Sequence, residues 1–209
     1  MDDIAGVVHR PDGKPEGVVA LTHGAGGSRE APLLQAICEE WARRGWVAVR
    51  YNLPYRRRRP KGPPPRSAAD ADLAGIVEAV AAVRTLADGP IIAGGHSYGG
   101  RLTSMAAAGH GVEGGGLSLD VLTLFSYPLH PPGKPERART EHLRNIPVPT
   151  VFTHGTADPF GSIDELRPAA ALIPAPTTIV EVTGARHDLA SKKIDVPKTA
   201  VDAALHLLG

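Results

Sequence analysis

The chain has 209 residues, 42% hydrophobic and 22% charged, which suits one soluble globular domain over residues 1–209 with a full core. With 23 basic and 22 acidic residues the formal net charge is +1, so the balance gives no basis for a nucleic-acid or polyanion partner. The single cysteine, Cys38, excludes an internal disulfide framework. No apolar run approaches the roughly 20 residues that span a bilayer, and the acidic start Met1-Asp2-Asp3-Ile4 is unlike a signal peptide. A cytoplasmic protein with no membrane partner is expected.

Residues 4–10 could add an antiparallel edge strand. Residues 17–22 form a β-branched run that ends in a glycine loop, His23-Gly24-Ala25-Gly26-Gly27. Over 32–44, Leu33, Leu34, Ile37, Cys38 and Trp41 follow the i, i+3, i+4 spacing of a helix with one buried face, and Gly45 stands where such a helix stops. Residues 46–51 read as a strand and 52–66 as a proline- and arginine-rich loop. Leu73, Ile76, Val77, Val80 and Val83 predict a helix over 67–86, with Ser67 as N-cap and Asp70 in the first turn. A strand over 90–94 runs into Gly94-Gly95-His96-Ser97-Tyr98-Gly99-Gly100 and a helix over 98–108. Strands over 117–125, 148–153 and 177–182 follow, then a closing helix over 196–208. This alternation predicts an α/β fold: a doubly wound, mostly parallel sheet of about seven strands with helices on both faces.

Gly95-His96-Ser97-Tyr98-Gly99 lies between a predicted strand and helix. A turn this sharp strains the backbone at the serine, and side chains at 95 and 99 would collide with neighbouring elements. A serine hydroxyl attacks well only when a base takes its proton. His187, in Gly184-Ala185-Arg186-His187-Asp188, follows the last predicted strand, where a loop can carry an imidazole over the serine. Asp158, in His154-Gly155-Thr156-Ala157-Asp158-Pro159, follows the strand before it and could hold the imidazole tautomer. Asp164 is the rival acid, but it sits behind Ser162 as a helix N-cap and so belongs to a helical first turn. Asp188 would point elsewhere. The backbone N–H of Tyr98 and one from the Ala25-Gly26 turn would form an oxyanion hole.

A glycine loop, then Ser, then an acid, then His, each after a strand, is the chain order of α/β-hydrolases. The chain resembles that superfamily from about Gly17 to its last helix, and in particular its small, cap-less, dienelactone-hydrolase-like branch. The resemblance implies Ser97 as nucleophile, His187 as base, Asp158 as orienting acid and no cofactor. It further implies hydrolysis of carboxylic esters with small or accessible acyl groups through an acyl-enzyme. A thioesterase or acyltransferase could use the same triad. Dienelactone hydrolases proper carry Cys where this chain has Ser97. Residues 126–147, with Pro128, Pro131 and Pro132, are too few for a helical lid, so an open site is expected. The stretch from Phe125 to Pro135 also resembles a branch of mostly uncharacterised small hydrolases that includes relatives of a histone-acetyltransferase complex subunit. An idle, regulatory scaffold is therefore the rival reading; idle members usually lack the Ser or the His, and this chain keeps both.

Nine histidines form no metal pattern such as His-Glu-x-x-His. His23 and His154 are expected as buried supports of their loops, His96 as pointing away from the Ser97 hydroxyl, and His130 and His142 on the surface rather than in an acyl pocket. Arg56, Arg57, Arg58 and Arg59 are either a clamp for a carboxylate- or phosphate-bearing substrate or, as charge runs usually are, a solvated loop. Cys38 reads as a buried apolar residue. Tyr55, Tyr127, Leu129, Phe160 and Leu189 are pocket candidates by loop position. A monomer or a homodimer fits equally well.

Overall fold

A computed structural model describes residues 6–112 and 116–209. Seven strands form one sheet in the order β1-β3-β2-β4-β5-β6-β7: β1 Gly6–His9, β2 Val18–Thr22, β3 Val47–Tyr51, β4 Ile91–His96, β5 Val121–Phe125, β6 Thr150–Gly155 and β7 Thr177–Val182. β1 pairs antiparallel with β3, and every other pairing is parallel. The expected edge strand is thus present from Gly6; Ile4 and Ala5 lie outside the described residues. β2, β3 and β5 are buried at every position, as strands covered on both faces must be, and their sequences read as near-continuous apolar runs for that reason.

Among the described residues six α-helices cover the two faces: α1 Pro32–Arg43, α2 Pro54–Arg58, α3 Ala69–Arg84, α4 Ser97–Ala107, α5 Ile163–Ala170 and α6 Val196–Leu208. On one side Leu73, Ile76 and Val80 of α3, Leu102 of α4 and Leu166 of α5 pack with Leu122, Leu124 and Phe152 of the sheet. On the other, Leu34, Ile37, Cys38 and Trp41 of α1 and Val201 and Ala204 of α6 pack with Val121 and Val151. Among the described residues no helix is long and apolar enough to cross a membrane.

Two local expectations are corrected. Residues 66–68 form a 3-10 turn continuous with α3, so Ser67 lies inside the helical path; Ala68 takes the N-cap position, with no side-chain cap. The predicted loop 52–66 contains α2, opened by Pro54 at its first position, where the missing N–H has no partner to lose. Ser162 does cap α5, in a reciprocal pair with Glu165.

His130 and His142, expected on the surface, are buried, at 6% and 3% exposure. The His142 Nε2 lies 2.8 Å from Ser104 Oγ, beneath α4. His23 is fully buried and bridges two loops: its Nδ1–H donates to the Gly24 carbonyl at 2.8 Å while Nε2 accepts the Leu53 N–H at 3.2 Å. Only the neutral ring can serve both partners, because a second N–H would face the Leu53 donor. Burial pulls both His23 and His142 down from 6.5 to about 4.

These two rings set an acid limit on stability. An unfolded chain takes up their protons from about pH 6.5 downward while the folded one resists until about pH 4, so stability is full above that window and falls through it. The loss is of order 3 kcal/mol per ring. Denaturant unfolding at pH 7.5 and 4.5 is expected to show a clearly lower midpoint at 4.5, with a smaller drop for His142→Gln; equal midpoints would refute this account.

Candidate active site

β4 ends at His96 and α4 begins at Ser97, whose φ of +48° lies in the left-handed region that a side chain strains to occupy. The reversal brings backbone against backbone. A Cβ at Gly95 would sit 2.5 Å from the Thr22 carbonyl oxygen, and one at Gly99 would sit 2.5 Å from that of His23. Glycine is the one residue that leaves room there, and the fit places Ser97 at the carboxyl edge of the sheet, 9% exposed.

Two loops from later strands meet it. The loop after β7 carries His187, whose Nε2 is 2.8 Å from Ser97 Oγ. The loop after β6 carries Asp158, whose Oδ2 and Oδ1 lie 2.8 and 3.0 Å from His187 Nδ1. Ala157 N–H donates to the Ala185 carbonyl, and Gly184 N–H to Thr156 Oγ1, which holds the two loops in register. Burial pushes the Asp158 pKa up, but hydrogen bonds from His187 and the Phe160 N–H, with the nearby imidazoles of His187 and His154, outweigh it and keep the carboxyl below its ordinary value. Asp164 stands in the first turn of α5, and Asp188 is exposed and accepts the Ala190 N–H.

Three neighbours of this row were not legible as such in the sequence. His96 Nε2–H donates to the His187 carbonyl at 2.8 Å, so a ring beside the serine fixes the backbone of the opposite loop. The Phe160 ring lies against His187, centroids 4.2 Å apart. Buried Asp72 accepts from the Tyr55 N–H and the Tyr98 hydroxyl, both at 2.9 Å, and so joins α2, α3 and α4 behind the serine. No periodicity signals such contacts; adjacency to the Gly-x-Ser-x-Gly turn was the hint for His96 and loop position the hint for Phe160, while nothing marked Asp72.

The glycine loop after β2 closes with the Gly27 N–H on the Gly24 carbonyl at 3.0 Å. Arg56 is neither a solvated charge nor a substrate clamp: it is 4% exposed, and its guanidinium donates to the carbonyls of Gly27, Ala25, Gly62 and Arg59. Tyr55 Oη–H adds a bond to the Ala25 carbonyl at 2.7 Å. With these carbonyls held from behind, the N–H groups of Ala25 and Gly26 meet no acceptor among the described residues. The Tyr98 N–H belongs to the first turn of α4, which has no intrahelical carbonyl to bond.

Together these groups border a cavity of about 660 Å³ that also touches Arg101, Pro128, Arg139 and Phe160. Of the five pocket candidates only Phe160 borders it. Tyr55, Tyr127 and Leu129 are packed in the core beneath α3 and α4, and Leu189 lies in the opposite core. Cys38 is likewise buried, on α1. Residues 126–147 carry two 3-10 turns, Pro135–Arg137 and Leu143–Asn145, and no helical lid. Among the described residues no three His, Cys, Asp or Glu side chains gather as a metal site would require.

Comparison with known proteins agrees with this architecture. Residues 15–204 match the family described as alpha/beta hydrolase domain. Similar solved structures include a dienelactone hydrolase from Anabaena variabilis, 20% identical, with a TM-score of 0.71 over 98% of this chain and 92% of that one. Est1E from Butyrivibrio proteoclasticus, solved with ferulic acid bound, is 16% identical with a TM-score of 0.72, covering 97% and 94% of the two chains. An α/β serine hydrolase without a lid from Xanthomonas campestris is 20% identical with a TM-score of 0.68, covering 96% and 88%. From its family match over nearly the whole length, the chain belongs to the α/β-hydrolase family.

Proposed function

We propose that this chain is a serine hydrolase that cleaves carboxylic esters, with Ser97, His187 and Asp158 as its catalytic residues. The observation that carries the reading is the unbroken row of hydrogen-bond contacts from Ser97 Oγ through His187 to Asp158, each link 2.8 Å at its shortest. Asp158 accepts the Nδ1–H of His187, which leaves the Nε2 lone pair facing the serine hydroxyl. As Oγ attacks the ester carbonyl, Nε2 takes its proton and Asp158 stabilises the imidazolium. The oxyanion that forms is received by the N–H of Tyr98 and one from Ala25 or Gly26. Each such donor contributes about 3 kcal/mol to the lowered barrier. Collapse expels the alcohol, protonated by His187, and leaves an acyl group on Ser97. Water, deprotonated by the same ring, then releases the acid and restores the serine. No step in this cycle requires a cofactor, and the absence of a helical lid favours small or externally presented acyl groups.

A fluorophosphonate probe is expected to label Ser97 stoichiometrically, as read by mass spectrometry, and to fail on Ser97→Ala and His187→Ala. A folded wild-type protein that takes no label would overturn the hydrolase reading in favour of an idle scaffold. Asp158→Asn is expected to keep the fold and lower kcat by about four orders of magnitude, because an amide selects the wrong imidazole tautomer.

Arg56 is assigned the support of the oxyanion loop. Arg56→Lys replaces a planar fork by a single point of charge that cannot reach four carbonyls at once. A shift of about 1 Å in catalytic groups can cost about a hundredfold in rate, so steady-state assays should show kcat falling on that order with KM changed far less. An unaltered kcat would remove Arg56 from this role.

A further inference from the structure

Asp72 is fully buried in the first turn of α3, and its carboxylate does not line the cavity beside Ser97. Its two oxygens serve two different segments. Oδ1 accepts the Tyr55 N–H from α2, and Oδ2 accepts the Tyr98 hydroxyl from α4, each at 2.9 Å. This face of α3 is tightly seated. About one turn further on, a Cβ at Gly75 would stand 2.4 Å from Pro54 Cγ, so the start of α2 lies directly against it. The Tyr55 and Tyr98 rings meet edge to face, with centroids 6.0 Å apart.

Both tyrosines carry this constraint to groups at the cavity. The Tyr98 hydroxyl and N–H belong to one residue, so anchoring the hydroxyl limits how far the start of α4 can turn. Tyr55 reaches the glycine loop, where its hydroxyl donates to the Ala25 carbonyl at 2.7 Å. That carbonyl and the Gly26 N–H share one planar peptide and point in opposite directions. Holding the carbonyl from the Tyr55 side therefore turns the Gly26 N–H the other way, and both Ala25 and Gly26 border the cavity.

Burying a carboxylate costs more than two neutral donors offset, and an apolar side chain would fill the place more cheaply. What the carboxylate adds is direction, imposed at once on two segments far apart in sequence. We infer that Asp72 is a positioning residue for the oxyanion hole, one carboxylate that sets the separation of the Tyr98 and Gly26 N–H groups. The assignment rests on the serine-hydrolase reading. It differs from the support given by Arg56, which captures carbonyls of the glycine loop and of its own segment but makes no contact with the α4 half. Donors fixed before reaction stabilise a developing oxyanion without having to reorganise, so their spacing bears directly on rate.

The rate of labelling by a neutral fluorophosphonate tests this with no substrate needed, because the phosphoryl oxygen occupies the oxyanion hole while Ser97 Oγ displaces fluoride. Tyr98→Phe removes one hydroxyl and leaves ring and backbone in place. Asp72→Leu removes both bonds and keeps the space filled. The labelling rate constant is expected to fall about tenfold in Tyr98→Phe and about a hundredfold in Asp72→Leu, as displacements of about 1 Å imply. Full labelling should still be reached at long times. Protection by trifluoroacetone, whose adduct with Ser97 places an oxyanion in the same hole, should weaken by like factors. The pH midpoint of labelling should stay at the wild-type value, because neither side chain bonds His187. Tyr51→Phe, which deletes a buried hydroxyl that bonds nothing among the described residues, should label at the wild-type rate. Tyr98→Phe decides alone where Asp72→Leu does not fold. An unchanged rate constant in folded Tyr98→Phe, or a fall that comes with a shifted pH midpoint, would overturn the assignment and leave the hydrolase standing. Folded wild-type protein that takes no label overturns the hydrolase reading and this assignment with it.

Discussion

Everything at the carboxyl edge of this sheet follows from how closely α4 can approach the strands beneath it. Where β4 gives way to α4, the chain passes so near the carbonyls of Thr22 and His23 that positions 95 and 99 have no space for a side chain. That approach obliges Ser97 to adopt a positive φ, an expensive conformation for a residue with a Cβ. In return the serine stands clear of the sheet, with the amide of Tyr98 beside it. Among the described residues two others with side chains share this strain, Ser126 just after β5 and Leu189 in the loop that bears His187. Ser126 directly follows β5, and Leu189 stands two residues beyond His187, so all three lie on the carboxyl-edge loops of the sheet.

The loops around the serine are secured by a common device, a polar side chain that captures a backbone carbonyl from another segment. Arg56 and Tyr55 hold the glycine loop, His96 holds the His187 loop, and His154 holds the Gly161 carbonyl at 2.8 Å just past Asp158. Loops cannot bury much apolar surface, and their carbonyls must be satisfied somewhere. Using side chains for this purpose both meets that requirement and fixes the direction of the remaining N–H groups. The cavity therefore has firmly held walls on the side of the glycine loop, while the Arg101 guanidinium takes no part in such a capture.

Much of this arrangement was readable before any coordinates, for identifiable reasons. Strand and helix alternation follows from hydrophobic period, and the seven-stranded sheet agrees with it. The Ser97, Asp158 and His187 positions stood out because each follows a strand in an order that few other folds impose. What escaped notice depends on contacts between residues distant in sequence. Arg56 read as one of four arginines in either a substrate clamp or a solvated loop; its burial is compensated by four carbonyls, and nothing in the composition of residues 52–66 announces them. The surface assignment of His130 and His142 failed for the same reason, since a ring on a polar loop is buried or exposed according to which helix passes over it. The Ser67 cap was missed by a subtler route: a good capping residue loses its role when a 3-10 turn starts the helix path before it.

The order of the sheet has a consequence for when the protein becomes reactive. Ser97 and His187 are 90 residues apart, and His187 follows β7, the edge strand that pairs with β6 and packs on α6. Contacts of such long range form late, after the entropy of closing the intervening chain has been overcome. On the proposed reading, a chain emerging from the ribosome presents Ser97 well before His187 can reach it. Until the edge strand docks, that hydroxyl is as inert as any alcohol in water. If Ser97 is the nucleophile proposed, chemical competence is thus tied to completion of the fold, and a molecule that has lost β7 has lost the imidazole that faces the serine.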